Sequence, residues 1–373
     1  MKKIKRRSVA NKLVKPTERK LSAGKLQMQD IAHLAGVSTS TVSRALNQSS
    51  LVNAETRERI EKLARSLNYP VNVGAMSGSA RRYGAIEAGG TKFICAVGDQ
   101  DGQILDETRI ETRDPGTTLT DVCRYFGAAG HKFGTLTALG VGAFGPLDLK
   151  PKSPTFGFIT STPKPGWKNT DLLGTLKHGV NGPVYLDTDV NGAALGELRW
   201  GAGRNLDSLA YVTVGTGIGV GVVHHGRAIH GLMHPELGHI FVRRHPADSS
   251  FDGICPYHGD CLEGLACGAA IVARTGRSLK DAPPADPIWA IEADYLGQLC
   301  ALLVLSHSPQ RILIGGGVMQ PPMYAGIQER MLHWLHDYVG AEELHGSQYI
   351  TAPGLGGSAG IRGALSLAIA ASS

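Results

Sequence analysis

The chain has 373 residues, 42% of them hydrophobic, with 49 Gly and a formal charge of +6, which excludes a disordered chain and suits an α/β protein rich in tight turns. The charge is divided: residues 1–82 carry 17 basic and 5 acidic side chains, residues 83–373 carry 21 and 27. One uniform globule is thereby excluded, and a basic head on a mildly acidic body points to an anionic partner for the head, such as nucleic acid.

Residues 1–25 hold Lys-Lys-Ile-Lys-Arg-Arg without apolar periodicity and read as a mobile basic arm. No apolar h-region follows this start, and no apolar run is read as long enough to span a bilayer, so no membrane partner is expected. Residues 26–72 read as three helices. Met28, Ile31, Ala32, Leu34 and Ala35 fall on one face of the first. Gly36 breaks the chain, Ser38 caps a second helix through Val42 and Leu46, and a third spans 54–67. Residues 73–82 read as a Gly/Ser-containing linker. From Tyr83 to the end the pattern alternates. Strands are expected at 83–88, 93–98, 103–108, 139–145, 183–187, 209–214, 219–225 and 311–314, and helices at 192–199, 264–273, 289–306 and 322–338. This order predicts a two-lobed α/β body behind an all-α head. Six Cys, three of them between 255 and 267, do not form a disulfide framework in a chain of this length, and a reducing, cytoplasmic setting is expected, nucleoid-associated when the head is on DNA.

Two short helices joined by Ala-Gly-Val-Ser fit a helix-turn-helix whose second helix lies in the major groove and exposes Thr39, Ser40, Ser43 and Arg44. Arg can grip a guanine edge with two hydrogen bonds, while surrounding cations attract any DNA. A three-helix bundle with a merely solvated basic face would share the helical pattern. The core Ala-Gly-Val-Ser-x-x-Thr-Val-Ser-Arg, within residues 28–72, resembles the DNA-binding head of LacI-type repressors. That resemblance implies double-stranded operator DNA as partner, Thr39, Ser40 and Arg44 as base readers, and Ser38, Thr41 and Asn47 on phosphates. The family follows its head with a hinge helix carrying a Leu wedge; here Gly78 falls near the wedge in Val-Gly-Ala-Met-Ser-Gly-Ser-Ala, a poor helix former.

The body carries three glycine sites. Gly89-Gly90-Thr91-Lys92 and Gly215-Thr216-Gly217-Ile218-Gly219 each lie between two strands, and neither has the spacing of a Walker or Rossmann loop. They read as hairpins whose N–H groups close on a phosphate chain, with the Thr91 and Thr216 hydroxyls as extra donors. Gly315-Gly316-Gly317 ends a strand and would let a flat adenine approach. In Leu186-Asp-Thr-Asp-Val-Asn-Gly, Asp189 stands at a strand-to-helix junction. There it either caps the helix, as Asn191 also could, or accepts a proton from an attacking hydroxyl. His239, then Cys255-Pro-Tyr-His258-Gly-Asp-Cys261, offers a closed Cys2His2 set with the chemistry of structural Zn2+, fixing the loop that carries Glu236 and Glu263. His234 could line the same pocket.

These motifs resemble the ROK family of sugar kinases and repressors over nearly all of 83–373, the fructokinase branch in particular. The branch marks are Ile-Glu-Ala-Gly-Gly-Thr-Lys-Phe (86–93), Phe-Gly-Pro-Leu-Asp (144–148), Thr-Pro-Lys-Pro-Gly-Trp (162–167), His-Pro-Glu-Leu-Gly-His (234–239) and the 255–266 run. The resemblance implies an actin-like, ribonuclease H-like ATPase fold with ATP and Mg2+ in the cleft. It implies Asp189 as the base on a hexose hydroxyl, and Glu236, His239 and Glu263 on sugar hydroxyls, with His239 also on Zn2+. Glu87 in place of the wider family's Asp, and His258 in place of a Cys, are marks of the branch. The expected activity is phosphorylation of a hexose, D-fructose to fructose 6-phosphate, in a homodimer that also binds an operator. The alternative is a sugar-sensing repressor with little turnover, and a third reading is a kinase whose head no longer binds DNA.

Overall fold

A computed structural model describes residues 28–46, 52–66 and 81–372, in two compact units that divide after Ala80. The head holds α1 (Met28–Ala35), α2 (Thr39–Leu46) and α3 (Ala54–Ser66). Ile31, Ala32 and Ala35 meet Val42, Ala45, Val52, Ile60 and Ala64 in a small core. Leu34, expected on the inner face, is 51% exposed, so that face is narrower than its apolar count suggests. Gly36 turns the chain at φ +64. Ser38 caps α2 as expected, its Oγ accepting from Thr41 N at 3.1 Å, and Asn53 Oδ1 caps α3 by accepting from Thr56 N at 2.8 Å. The expected linker hinge at Gly78 lies outside the described residues.

In the body, β1 (Tyr83–Ala88), β2 (Lys92–Gly98) and β3 (Ile104–Glu111) form an antiparallel meander. Next comes α4 (Pro115–Phe133), started by Pro115 and capped by Asp114, whose Oδ1 accepts from Thr117 N at 2.9 Å. β4 (Ala138–Ala143) pairs parallel with β1. A small ribbon, β5 (Phe158–Ile159) and β6 (Thr170–Asp171), leads to α5 (Leu172–Gly179), then to β7 (Val184–Thr188) and α6 (Asp189–Trp200). The first lobe is thus a sheet in the order β3-β2-β1-β4-β7.

The second lobe opens with the hairpin β8 (Ser208–Val214) and β9 (Ile218–His224), followed by the short β10 (Arg227–Ala228). α7 (Leu262–Ala266) and α8 (Gly268–Thr275) replace the single helix expected over 264–273. α9 (Ile288–His307), β11 (Ile312–Gly315), α10 (Met323–Leu335), β12 (Ile350–Thr351) and α11 (Ala359–Ala370) complete the chain. The second sheet runs β10-β9-β8-β11-β12. α9 corrects the expectation that no run is long enough for a bilayer: by length and hydropathy (1.5) it passes. Its place is the interior of this lobe, with Ile288, Ile291, Leu296, Leu299, Cys300 and Leu303 all buried and the acidic Glu292 and Asp294 among them.

α6 and α11 cross where glycine meets glycine. A Cβ on Gly363 would stand 2.2 Å from Gly192 C, and one on Gly196 would stand 2.9 Å from the Gly363 backbone. α11 lies on the first sheet, where a Cβ on Gly140 would stand 1.9 Å from Ala364 O, while Val190 of α6 packs on Gly219 and Gly221 of β9. The two helices therefore join the two sheets. Gly363→Ala drives a methyl into backbone that cannot retreat. It is expected to destabilise the body by about 2 kcal/mol or more, measured by denaturant unfolding.

Candidate active site

The cleft between the sheets gathers carboxylates from separate stretches of chain. Asp189 is the first residue of α6, but it does not cap it. Thr188 does, with φ −66 and ψ 153 and its Oγ1 accepting from Asn191 N at 3.2 Å. The helix begins at Asp189 and not at Gly192 as expected, because Thr188 supplies the cap earlier. Asp189 Oδ1 accepts only a local bond from Val190 N, 2.9 Å. Burial pushes its carboxyl up to about 6. Glu87, near the end of β1, is pushed up to about 7, first by burial and then by the charge of Asp189, against the pull of Lys92. Glu236 is also pushed up to about 7, by burial and then by Glu263 and Asp189. Mutual repulsion in a poorly solvated cleft describes a site built for a cation or for proton acceptance.

Glu236 and His239 flank the single turn Leu237–His239, and Glu263 lies in the first turn of α7. Glu263 Oε2 accepts from Ile218 N at 2.8 Å, and its Oε1 lies 3.9 Å from His239 Nε2. The expected sugar carboxylate thus also buttresses the hairpin between β8 and β9: a Cβ on Gly217 would stand 2.5 Å from Glu263 Oε2. Gly215, Thr216 and Gly217 form the tip between β8 and β9, Gly215 N donating to Gly217 O at 2.9 Å and Thr216 exposed. Gly219 does not belong to that tip. It lies within β9, paired with Thr213, and its missing side chain makes room for Val190. Gly89, Gly90 and Thr91 turn from β1 into β2, Gly89 N donating to Lys92 O at 3.0 Å, with Gly90, Thr91 and Lys92 exposed. Gly315 ends β11, a Cβ on Gly316 would stand 2.3 Å from Val214 O, and Gly317 faces open space. Val318 N donates to Val214 O at 3.0 Å, so the third glycine site adjoins the second.

His239, Cys255, His258 and Cys261 come together with all four ligand atoms within 4.8 Å of one another. His239 Nδ1 lies 3.4 Å from Cys261 Sγ and 3.7 Å from Cys255 Sγ, and Cys255 Sγ lies 3.5 Å from His258 Nδ1. These are about the edge lengths of a tetrahedron with Zn–S near 2.3 Å and Zn–N near 2.0 Å.

Two features escaped the sequence reading. Asp187 is buried at the end of β7, its Oδ1 accepting from Asn191 Nδ2 at 2.8 Å and lying 3.1 Å from His230 Nε2. That hydrogen bond raises the His230 pKa. Glu87 meets the start of α11: a Cβ on Gly360 would stand 2.3 Å from its Cδ, while Glu87 Oε2 is buried without a hydrogen-bond partner. The only signal in the sequence was the branch mark at position 87. In the head, Ser38, Thr39, Ser40 and Arg44 are exposed and Thr41 is half-buried. The Ser43 side chain and Asn47 lie outside the described residues.

Two lobes meeting through paired helices, glycine hairpins on both sheets and a carboxylate at the α6 start fit an actin-like sugar kinase. Residues 83–371 match the model described as ROK family, and residues 27–72 the one described as bacterial regulatory proteins, lacI family. The chain belongs to the ROK family, and its body is an ATP-dependent sugar kinase. It is 46% identical over 288 residues to a putative fructokinase of Bacillus subtilis (strain 168), covering 76% of this chain and 94% of that one. It is 45% identical over 289 residues to a fructokinase of Pediococcus pentosaceus, covering 77% and 98%. Among solved structures it resembles a ROK family glucokinase from Streptomyces griseus in complex with glucose and AMPPNP, with TM-score 0.61, 26% identity and coverage of 77% and 99%.

Proposed function

We propose that the body phosphorylates D-fructose to fructose 6-phosphate from ATP, and that the head places this enzyme on an operator. The observation that carries the kinase reading is Asp189: buried enough to hold its proton up to about 6, released from helix capping by Thr188, and near enough to Glu87 and Glu236 for its charge to raise both of their carboxyls. A carboxylate with that affinity accepts the hydroxyl proton as the oxygen attacks the terminal phosphate. Glu236, Glu263 Oε1 and His239 Nε2 lie on the same side and would receive the other hydroxyls. Both hairpin tips offer N–H groups to the phosphates. Fructose is favoured over glucose by the names of relatives above 40% identity, which are named fructokinases, while the glucokinases are 30% identical or less.

Mg2+ fits the donor set. Glu87 Oε2 is a buried oxygen without a partner, and Asp189 raises its charge cost; a hard cation bridging to ATP oxygens would relieve both. It would neutralise the phosphate chain and orient it. Zn2+ fits the four ligand atoms described above, and holding His239 by Nδ1 would leave its Nε2–H to face Glu263 and the sugar. Six free thiols support work in a reducing cytoplasm. A palindromic operator needs two heads, which favours a homodimer formed by the body.

ADP release by purified protein, assayed with fructose, mannose and glucose, tests the activity. Absence of turnover on all three by folded, metal-loaded protein would leave the sugar-sensing repressor reading. For the head, Arg44→Ala is expected to weaken binding to a palindromic site by about 10- to 100-fold at constant salt, with little loss on random DNA. Equal loss on both would indicate a sequence-blind head, as would a wild type that does not discriminate between them.

A further inference from the structure

His234 is 3% exposed and takes no part in the chemistry described so far. It stands between two loops from opposite lobes. Its Nε2 accepts from the backbone N–H of Leu147 at 2.9 Å, in the loop that follows β4 of the first lobe. Its Nδ1 lies 3.4 Å from Glu236 Oε1, on the second lobe's side of the cleft. A backbone N–H can only donate, so Nε2 must be an acceptor and the single proton of a neutral ring sits on Nδ1. Burial favours that neutral ring, and the Pro235 carbonyl beside it is a second acceptor for the same proton.

The first-lobe loop is itself held. Asp148 accepts from Lys150 N at 3.1 Å, from Thr155 Oγ1 at 2.7 Å and from Ser153 Oγ. Gly145 lies near the ring: a Cβ there would come only to van der Waals distance of His234 Cε1, 3.5 Å. Leu147 therefore fixes the ring with Nδ1 facing the Pro235 carbonyl and 3.4 Å from one oxygen of Glu236.

We propose that His234, as the neutral Nδ1–H tautomer, is a positioning residue for sugar binding. It holds Glu236 Oε1 so that Glu236 Oε2 is left to accept a hydroxyl of the sugar, and it ties that acceptor to the Leu147 loop of the other lobe. This rests on the reading of Glu236 as a sugar ligand. At 3.4 Å the two atoms are within reach of a hydrogen bond that is to tighten with substrate bound.

The two halves of the imidazole can be replaced separately. His234→Asn puts an amide N–H near the Nδ1 position and drops the acceptor for Leu147. His234→Gln does the reverse. The sugar KM of His234→Gln is expected to rise about tenfold or more, with the ATP KM within about twofold of wild type, while His234→Asn recovers most of the sugar KM. A second measurement needs no turnover and no variant that folds: 15N NMR of histidine-labelled wild type, with the His234 signal assigned by through-bond correlation. It should show a protonated Nδ1 and an unprotonated Nε2. A protonated Nε2, or an imidazolium at neutral pH, overturns the proposal whatever the enzyme phosphorylates. So does a His234→Asn enzyme as impaired as His234→Gln, or sugar and ATP KM rising together in His234→Gln. If the tautomer is as stated and wild type turns over no sugar, the kinase reading fails while the clamp geometry stands.

Discussion

Asp189→Asn is expected to lower kcat on the sugar by about 10³-fold, leaving metal content and sugar affinity near wild type. The substitution keeps shape and removes only the ability to take a proton, and Thr188 continues to cap α6, so the helix start should survive. The wild-type pH profile should carry the same signature. The Asp189 carboxyl is raised to about 6, so kcat/KM falls about tenfold per unit as pH drops below that value. The stability sign is opposite to that of activity. A carboxyl whose pKa rises on folding stabilises the fold most at low pH, below its unfolded value, and that contribution disappears as pH rises through about 6. Asp189→Asn should therefore unfold no more easily than wild type at pH 8, and more stable protein there is the expected direction. An inactive variant with a clearly lowered Tm at pH 8 would mean that Asp189 serves the fold instead.

Removing the metal should be nearly as damaging. Cys261→Ser is expected to abolish stoichiometric zinc in the purified protein and to lower turnover by about 100-fold, because ligand and second-sphere losses each cost metal sites one to two decades. The reason is local. Cys261 is the residue before α7, and Glu263 sits in the first turn of that helix. Gly253, Gly259 and Gly264 crowd the same loop, with Cys255 N donating to Gly259 O at 3.0 Å and Ile254 N to Gly264 O at 3.0 Å. A loop with so little apolar side chain cannot hold this shape by packing alone. Chelation of wild type should reproduce the loss, and Zn2+ but not Mg2+ should reverse it. Full activity in a strong chelator, with zinc absent by elemental analysis, would show that the four side chains pack without a metal.

The parts of the site that the sequence disclosed are those whose residue type and spacing carry chemistry by themselves. The metal quartet is an example: three ligands within one loop need no fold to be recognised, and only His239 had to be brought from outside. Asp189 was different. Spacing left it equivalent to a helix cap until Thr188 was seen to hold that role. The helices that position the site were the least legible. α11 was not anticipated because Ala359–Ala370 is buried on opposite faces, so its sequence shows neither amphipathic stripe nor polar face. α4 was missed behind its opening Pro-Gly, although Asp114-Pro115 marks its start. The sequence placed His234 near the pocket, but its link to Leu147, 87 residues away, needed the fold.

Glu263 has one oxygen on the Ile218 N–H of the phosphate hairpin and the other facing His239. A rigid carboxylate cannot serve one side without transmitting its orientation to the other. If MgATP binding shifts the hairpin through Glu263, the same coupling free energy acts, by reciprocity, on how firmly the His239 end would hold zinc. Zinc retention in a competitive-chelation titration thus becomes a readout of nucleotide occupancy, made without following a phosphoryl group at all.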